Sequence, residues 1–155
     1  MKIEELMTKT PTTILGQDTL DIAAKKLWDS DCGVLPVVGG DGRLIGIITD
    51  RDICMSAWSK GQLLTAIHVD EAMSTQVFSV KPDQEVDAAE LLMAEKQVRR
   101  LPVVDADGKP VGILSMNDVA REAARTGGKL KEGIARAIQT IAAICQPRKR
   151  AQKAA

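Results

Sequence analysis

The chain has 155 residues, 45% of them hydrophobic, and its 21 basic and 21 acidic side chains leave no net charge. That length fits one compact soluble domain or a domain made of two halves, and apolar runs of only four to six residues exclude a membrane-spanning helix. A single histidine, His68, excludes a histidine-rich metal centre and a conventional triad, while three cysteines (Cys32, Cys54 and Cys145) without CxxC spacing argue against a zinc site. The odd cysteine count, and a charged Met1–Thr13 stretch with no apolar signal region, point to a reducing, cytoplasmic setting. Charge is uneven: residues 1–120 carry 12 basic and 19 acidic groups, whereas residues 121–155 carry 9 and 2, giving an acidic body and a basic tail.

In chain order, Leu6 to Leu15 predicts a lead-in strand, its Pro11–Leu15 part β-branched and short. Asp18 is placed to cap a helix whose inward face is Leu20, Ala23, Ala24 and Leu27, with Trp28 as core or half-buried packing. Val34–Val38, the turn Gly39-Gly40-Asp41-Gly42 and Arg43–Ile48 predict a hairpin. Thr49 opens a second helix, which Gly61 ends. Residues 62–72 form a partly buried connection through Leu63, Leu64, Ile67 and Val69. Ser74–Val80 predicts a second lead-in strand, and Pro82-Asp83 the start of a helix carrying Val86, Ala89, Leu92 and Met93. Leu101–Val104, the Asp107-Gly108 turn and Val111–Leu114 predict another hairpin, followed by a helix over Asn117–Arg125 that Gly127-Gly128 stops. Ile134, Ile138, Ile141, Ala142 and Cys145 share one face of a last helix ending before Pro147. Such a stripe covers its own domain or meets another subunit.

The order repeats because the sequence repeats. Residues 7–53 and 73–119 align without a gap at a spacing of 66, with about a dozen identities. Leu35-Pro36-Val37-Val38 returns as Leu101-Pro102-Val103-Val104, and Asp41-Gly42 as Asp107-Gly108. Gly46-Ile47-Ile48-Thr49-Asp50-Arg51-Asp52-Ile53 returns as Gly112-Ile113-Leu114-Ser115-Met116-Asn117-Asp118-Val119. The expected organisation is a first repeat (1–61), a connection (62–72), a second repeat (73–126), an amphipathic helix (129–146) and a disordered basic tail (147–155). One repeat is too short for a large core, so the two are expected to pack together, through Val37, Val103, Ile47 and Ile113.

Thr49-x-x-Asp52 and Ser115-x-x-Asp118 support two compatible readings. Each is a helix capping box, the hydroxyl accepting from a free backbone N–H and the carboxylate complementing the helix dipole. Each is also a place where a carboxylate beside a helix N-terminus can accept hydrogen bonds from a ribose cis-diol while N–H groups meet a phosphate.

On these duplicated marks, over about residues 1–125, both copies resemble CBS domains (named for cystathionine β-synthase), and the pair resembles a Bateman module. The resemblance implies an α/β fold of two β-α-β-β-α repeats with pseudo-two-fold symmetry, and a homodimer whose four repeats form a flat disc. It implies no enzyme activity and no required cofactor, and a regulatory adenosine ligand (AMP, ADP, ATP or S-adenosylmethionine) in the cleft between repeats. One site then joins Thr49, Arg51 and Asp52 to Val77, Phe78 and Val98; the other joins Ser115, Asn117 and Asp118 to Pro11, Thr12 and Cys32. Arg99 and Arg100 match basic phosphate-binding positions of relatives, whereas their first-repeat counterparts are Gly33 and Val34, so the two sites are unequal. Taken alone, Phe78 reads as core packing, Cys32 as a small buried hydrophobe, and Arg99 and Arg100 as solvated charges.

The sequence carries no nucleophile–base pair, metal cluster or Walker-type loop to support an enzyme. The basic tail lacks interleaved aromatics and a nucleic-acid reading motif, which argues against nucleic acid as a partner. The alternatives are a dimerisation or interaction scaffold without ligand and a nucleic-acid-associated regulator using the basic tail Arg148-Lys149-Arg150, and the effector protein is not legible from the chain.

Overall fold

The structure, a computed structural model, describes residues 1–125 and 131–146. It is a mixed α/β protein containing two sheets of three strands. The chain runs α1 (Ile3–Leu6), β1 (Thr8–Lys9), β2 (Ile14–Leu15), α2 (Leu20–Asp29), β3 (Leu35–Val38), β4 (Leu44–Ile48) and α3 (Asp50–Lys60). Two 3₁₀ turns, Leu64–Ala66 and Val69–Glu71, lead to α4 (Val86–Lys96), β5 (Arg100–Val104), β6 (Pro110–Ser115), α5 (Met116–Arg125) and α6 (Lys131–Ile144). None of the described helices is long and apolar enough to cross a membrane.

The hairpins form where local signals demand them. In each, an Asp-Gly turn brings glycine to positive φ, Gly42 at 80° and Gly108 at 79°, a backbone region that side chains disfavour. β3 pairs antiparallel with β4 from Leu35↔Ile48 to Val38↔Leu44, and β5 with β6 from Arg100↔Ser115 to Val104↔Pro110, both with a register shift at the same relative place. Helix α3 starts at its Thr49 cap and stops at Gly61, which takes the left-handed φ of 60°. After α2 and after α4 the chain turns through a left-handed residue at equivalent positions, Asp31 and Gln97.

The lead-in segments depart from expectation. The first breaks into two short strands, Thr8–Lys9 antiparallel to β6 and Ile14–Leu15 parallel to β3, and in the second repeat Val80 alone bridges Val103. No strand spans Ser74–Val80, because this stretch finds ladder partners only at its two ends, Ser74 with Ile47 and Val80 with Val103. Helix α2 is capped at Thr19 rather than Asp18, whose carboxylate instead accepts from Leu15 N–H at 3.1 Å. Helix α4 begins at Val86, not Pro82-Asp83, since Pro82 and Gln84 carbonyls accept from Glu4 and Ile3.

Those last bonds reveal how the halves are joined. The start of the first repeat packs on the second: Ile3 is fully buried with Val86, Met93, Leu101 and Leu114, and β1 pairs with β6. Glu85 holds this segment through Lys2 at 2.9 Å and the Met1 ammonium at 2.8 Å, hydrogen bonds that bring its carboxyl down to about 2. Reciprocally, Ile67 and Val69 ahead of the second repeat are buried in the first, with Leu20, Leu35 and Ile48, and Ser74 pairs with Ile47. Val37 and Val103 therefore lie in two separate cores rather than forming a shared one, and Ile47 and Ile113 are half-buried. The crossings fix two glycines. A Cβ on Gly46 would stand 3.1 Å from the Ser74 carbonyl oxygen, and one on Gly112 3.1 Å from that of Thr8, each also against a methionine, Met73 or Met7.

The repeats differ on their helical faces. Helix α6 packs on α4 and α5 through Ala137, Thr140 and Ile144, so Ile138 (61% exposed), Ile141, Ala142 and Cys145 face outward. The apolar stripe read from sequence is thus the outer face. The inner one uses small residues that admit close helix approach, together with charge: Arg136 meets Asp87 at 2.8 Å and buried Glu90 at 3.5 Å. Gln97 closes the end of α6 by donating to the carbonyls of Ala143 and Gln146. In the first repeat, Trp28 is 86% exposed and Trp58 77%, correcting the expectation that Trp28 packs inside. The side chain of Ile134, Gly127-Gly128, Pro147 and the basic tail lie outside what the structure describes.

Burial raises the Glu90 carboxyl above the ordinary carboxylate value of 4.5, opposed by Arg136. The folded protein therefore keeps this proton to higher pH than the unfolded chain, and stability falls as pH rises from about 4.5 through the raised value. Glu90→Gln is expected to remove that fall in thermal melts across the range. An unchanged pH slope would contradict the assignment.

Candidate functional site

The two hydroxyl–aspartate boxes form as near copies. Thr49 N–H donates to Asp52 Oδ2 at 2.9 Å, Thr49 Oγ1 donates to the same oxygen at 2.6 Å, and Asp52 N–H returns to Thr49 Oγ1 at 3.2 Å. Ser115 and Asp118 repeat these contacts at 2.9, 2.6 and 3.3 Å. Capping is therefore realised in both copies, and it consumes one carboxylate oxygen of each pair. The outer oxygens differ. Asp118 Oδ1 accepts from the Arg121 guanidinium, whereas Asp52 Oδ1 has no partner among the described residues. Arg121 escaped the sequence reading, although its i+3 spacing from Asp118 was visible.

Around the second box, Arg99, Arg100, Ser115, Met116 and Asn117 line a small cavity of about 100 Å³. The two arginines are thus brought to Ser115 and Asn117, whereas Asp118 lines neither this cavity nor the larger one. Arg100 also lines a larger hollow of about 690 Å³ with Cys32 and Gly33, so a second-repeat cation meets the first repeat. Gly33 makes room for it: a Cβ there would lie 3.2 Å from an Arg100 terminal nitrogen. Pro11 is half-buried, and the exposed Thr12 exchanges a hydroxyl hydrogen bond of 3.0 Å with Ser30.

Around the first box the match is looser. Arg51 is exposed on α3, while Val77, Phe78 and Val98 are half-buried, Phe78 and Val98 against the second core. The Ile47–Ser74 bridge sets the 75–79 stretch beside the end of β4, two residues before Thr49. Lys96 stands 5.4 Å from the centroid of the Phe78 ring, so this aromatic is neither fully core nor bare wall. Thr49 and Asp52 line neither cavity.

The larger hollow is centred on α2 and α3, through Ala24, Leu27, Trp28, Ile53 and Ala57, away from both aspartates. Its lining is mixed, apolar side chains together with Asp31, Asp50 and Arg100. Among the described residues no group of three or more histidine, cysteine, aspartate or glutamate side chains is placed to hold a metal.

Comparison with known proteins bears on the family and the fold. The CBS domain model matches twice, over residues 3–58 and 69–125. MK0525 of Methanopyrus kandleri is 35% identical over 115 residues, 74% of this chain, which spans only 56% of that relative's length. The CBS domain-containing protein YhcV of Bacillus subtilis is 36% identical over 118 residues, 76% of this chain and 82% of YhcV. The CBS pair of MJ0100, solved in complex with 5′-methylthioadenosine and S-adenosyl-L-methionine, superposes with a TM-score of 0.73 at 28% identity, covering 81% of this chain and 98% of that one. CBSX2 in complex with AMP superposes with a TM-score of 0.70 at 28% identity, covering 81% and 97%. With both repeats matched by the family model and the paired architecture shared with solved CBS pairs, the chain belongs to the CBS domain family, as a tandem pair.

Proposed function

We propose that this chain is a non-catalytic sensor that binds an adenosine-containing ligand (AMP, ADP, ATP or S-adenosylmethionine) between its repeats. It requires no cofactor and passes occupancy to an effector protein. The observation that carries this reading is that Ser115 of the second box lines a cavity together with Arg99, Arg100 and Asn117, at the start of the helix whose first turn holds Asp118. A diol acceptor and two guanidinium groups stand at one helix start, as a nucleoside phosphate requires. The bound AMP of CBSX2 and the S-adenosylmethionine of the MJ0100 pair supply the ligand class. In this reading Ser115, Asn117 and Asp118 act with Pro11, Thr12 and Cys32, and Thr49, Arg51 and Asp52 with Val77, Phe78 and Val98. Arg99 and Arg100 hold phosphate, so the second-repeat site prefers nucleotide over adenosine.

Calorimetric titration with AMP, ATP and S-adenosylmethionine tests it. Asp52→Asn and Asp118→Asn should each cost about 1.5–3 kcal/mol at their own site, tenfold or more in affinity. Substituting 2′-deoxy-AMP should mimic the loss. Equal affinity for all variants and for the deoxy ligand would leave the boxes as helix caps alone.

The same proposal includes a homodimer. The bare α2/α3 face, with Trp28 and Trp58 exposed, is the counterpart of the α4/α5 face that α6 covers, and a second copy is the occupant we assign to it. Because α6 overlies the second face, the contact cannot use two equal bare faces as a simple flat disc would. Sedimentation at micromolar concentration should give a dimer that Trp58→Asp weakens. A monomeric wild-type protein would refute it.

A further inference from the structure

We propose that Arg121 is a specificity-determining, positioning residue of the second-repeat cleft: it occupies the outer oxygen of Asp118 and withholds that carboxylate from a ribose cis-diol until displaced. The inference rests on the ribose reading above and adds to it a difference between the two clefts.

An ionised carboxylate accepts about four hydrogen bonds, two per oxygen. In both boxes Oδ2 already takes the backbone N–H and the hydroxyl of the preceding Thr or Ser, so a diol must use Oδ1. At Asp52 that oxygen is open among the described residues. At Asp118, whose side chain is only 7% exposed, it is paired with Arg121. The residue at the equivalent place in the first repeat, 66 positions earlier, is Met55, which cannot make the pair. The mask is thus present in one repeat and absent from its copy, on otherwise matching boxes.

The chemistry of the pair makes it displaceable. The Arg121 side chain is 75% exposed, so its guanidinium can turn into water without losing solvation, while Asp118 stays buried and demands a replacement donor. Two ribose hydroxyls supply one. A ligand lacking them leaves Asp118 unpaired if it pushes Arg121 aside, and is rejected. A diol entering the second cleft therefore competes with an ion pair. A diol entering the first meets none.

The test isolates each cleft. In an Asp52→Asn background, which leaves the second cleft as the intact diol site, Arg121→Ala should raise AMP affinity about two- to fivefold, the scale of one partly exposed ion pair. Arg121→Lys should retain much of the mask, and the gain should vanish for 2′,3′-dideoxy-AMP, a distinction that a merely structural arginine would not produce. In an Asp118→Asn background, Met55→Arg should install the mask and lower AMP affinity at the first cleft by a similar factor. Unchanged affinity in Arg121→Ala, with AMP still bound, would overturn the mask and leave the sensor reading standing. Reduced affinity would overturn it too, by making Arg121 a ligand contact. No binding of AMP, ATP or S-adenosylmethionine to wild type or to Arg121→Ala would overturn the sensor reading and the mask together.

Discussion

Each core of this protein is closed by chain that leads into the other repeat. Ile3 sits in the second core, and Ile67 and Val69 in the first. The backbone follows: Thr8 pairs with Ile113, and Ser74 with Ile47. Fully buried aliphatic side chains of this kind contribute about 1.5–3 kcal/mol each. Neither repeat keeps its whole core if its neighbour is removed. The glycines at 46 and 112 exist for this crossing, since carbonyl oxygens and methionine side chains of the incoming segment occupy the space of a Cβ. The same crossing carries the lead-in of one repeat past the helix start of the other. That is the arrangement a cleft between repeats needs.

Duplication then leaves room for divergence. The backbone copies itself down to the left-handed residues Asp31 and Gln97, while the side chains around it have separated. The second repeat carries Arg99 and Arg100 where the first has Gly33 and Val34, and Glu90 where the first has Ala24. Glu90 and Asp87 receive Arg136 of α6, and that helix covers the second repeat alone. A buried carboxylate with one oxygen, Oε1, unpaired among the described residues adds little stability. The first repeat, with Ala24 and the exposed Trp28 on the same face, has kept an open apolar surface instead.

What was legible in the sequence was what is local. Asp-Gly turns, the Thr49 cap and the Gly61 stop each act over a few residues, and the hairpins and α3 form where those signals put them. The lead-in segments were not legible as they stand. Their partners lie more than a hundred residues away for Thr8 and over twenty for Ser74, and β-propensity cannot tell a paired strand from an extended segment with one bridge at each end. Periodicity found α6 but chose its outer face, because hydrophobicity alone outranks the alanine and threonine that make close contact. Trp28 misled for a related reason: an aromatic signals burial without saying against what. The boxes were visible as pairs, but the third partner at Asp118 needed the folded rotamer of Arg121.

Native-state hydrogen exchange is the most direct test of the exchanged lead-ins as the constraint on which cores and clefts depend. The amides of Ser74 and Ile47, which bond across the repeats at 2.9 and 3.0 Å, and that of Thr10, which reaches Val111, should exchange only with global unfolding. In Gly46→Ala, where the new methyl group meets Met73 and the Ser74 carbonyl at the crossing, protection should fall in the cores of both repeats together. Loss of protection confined to the first repeat, with Leu101 and Leu114 as protected as before, would show two independent domains and contradict the account.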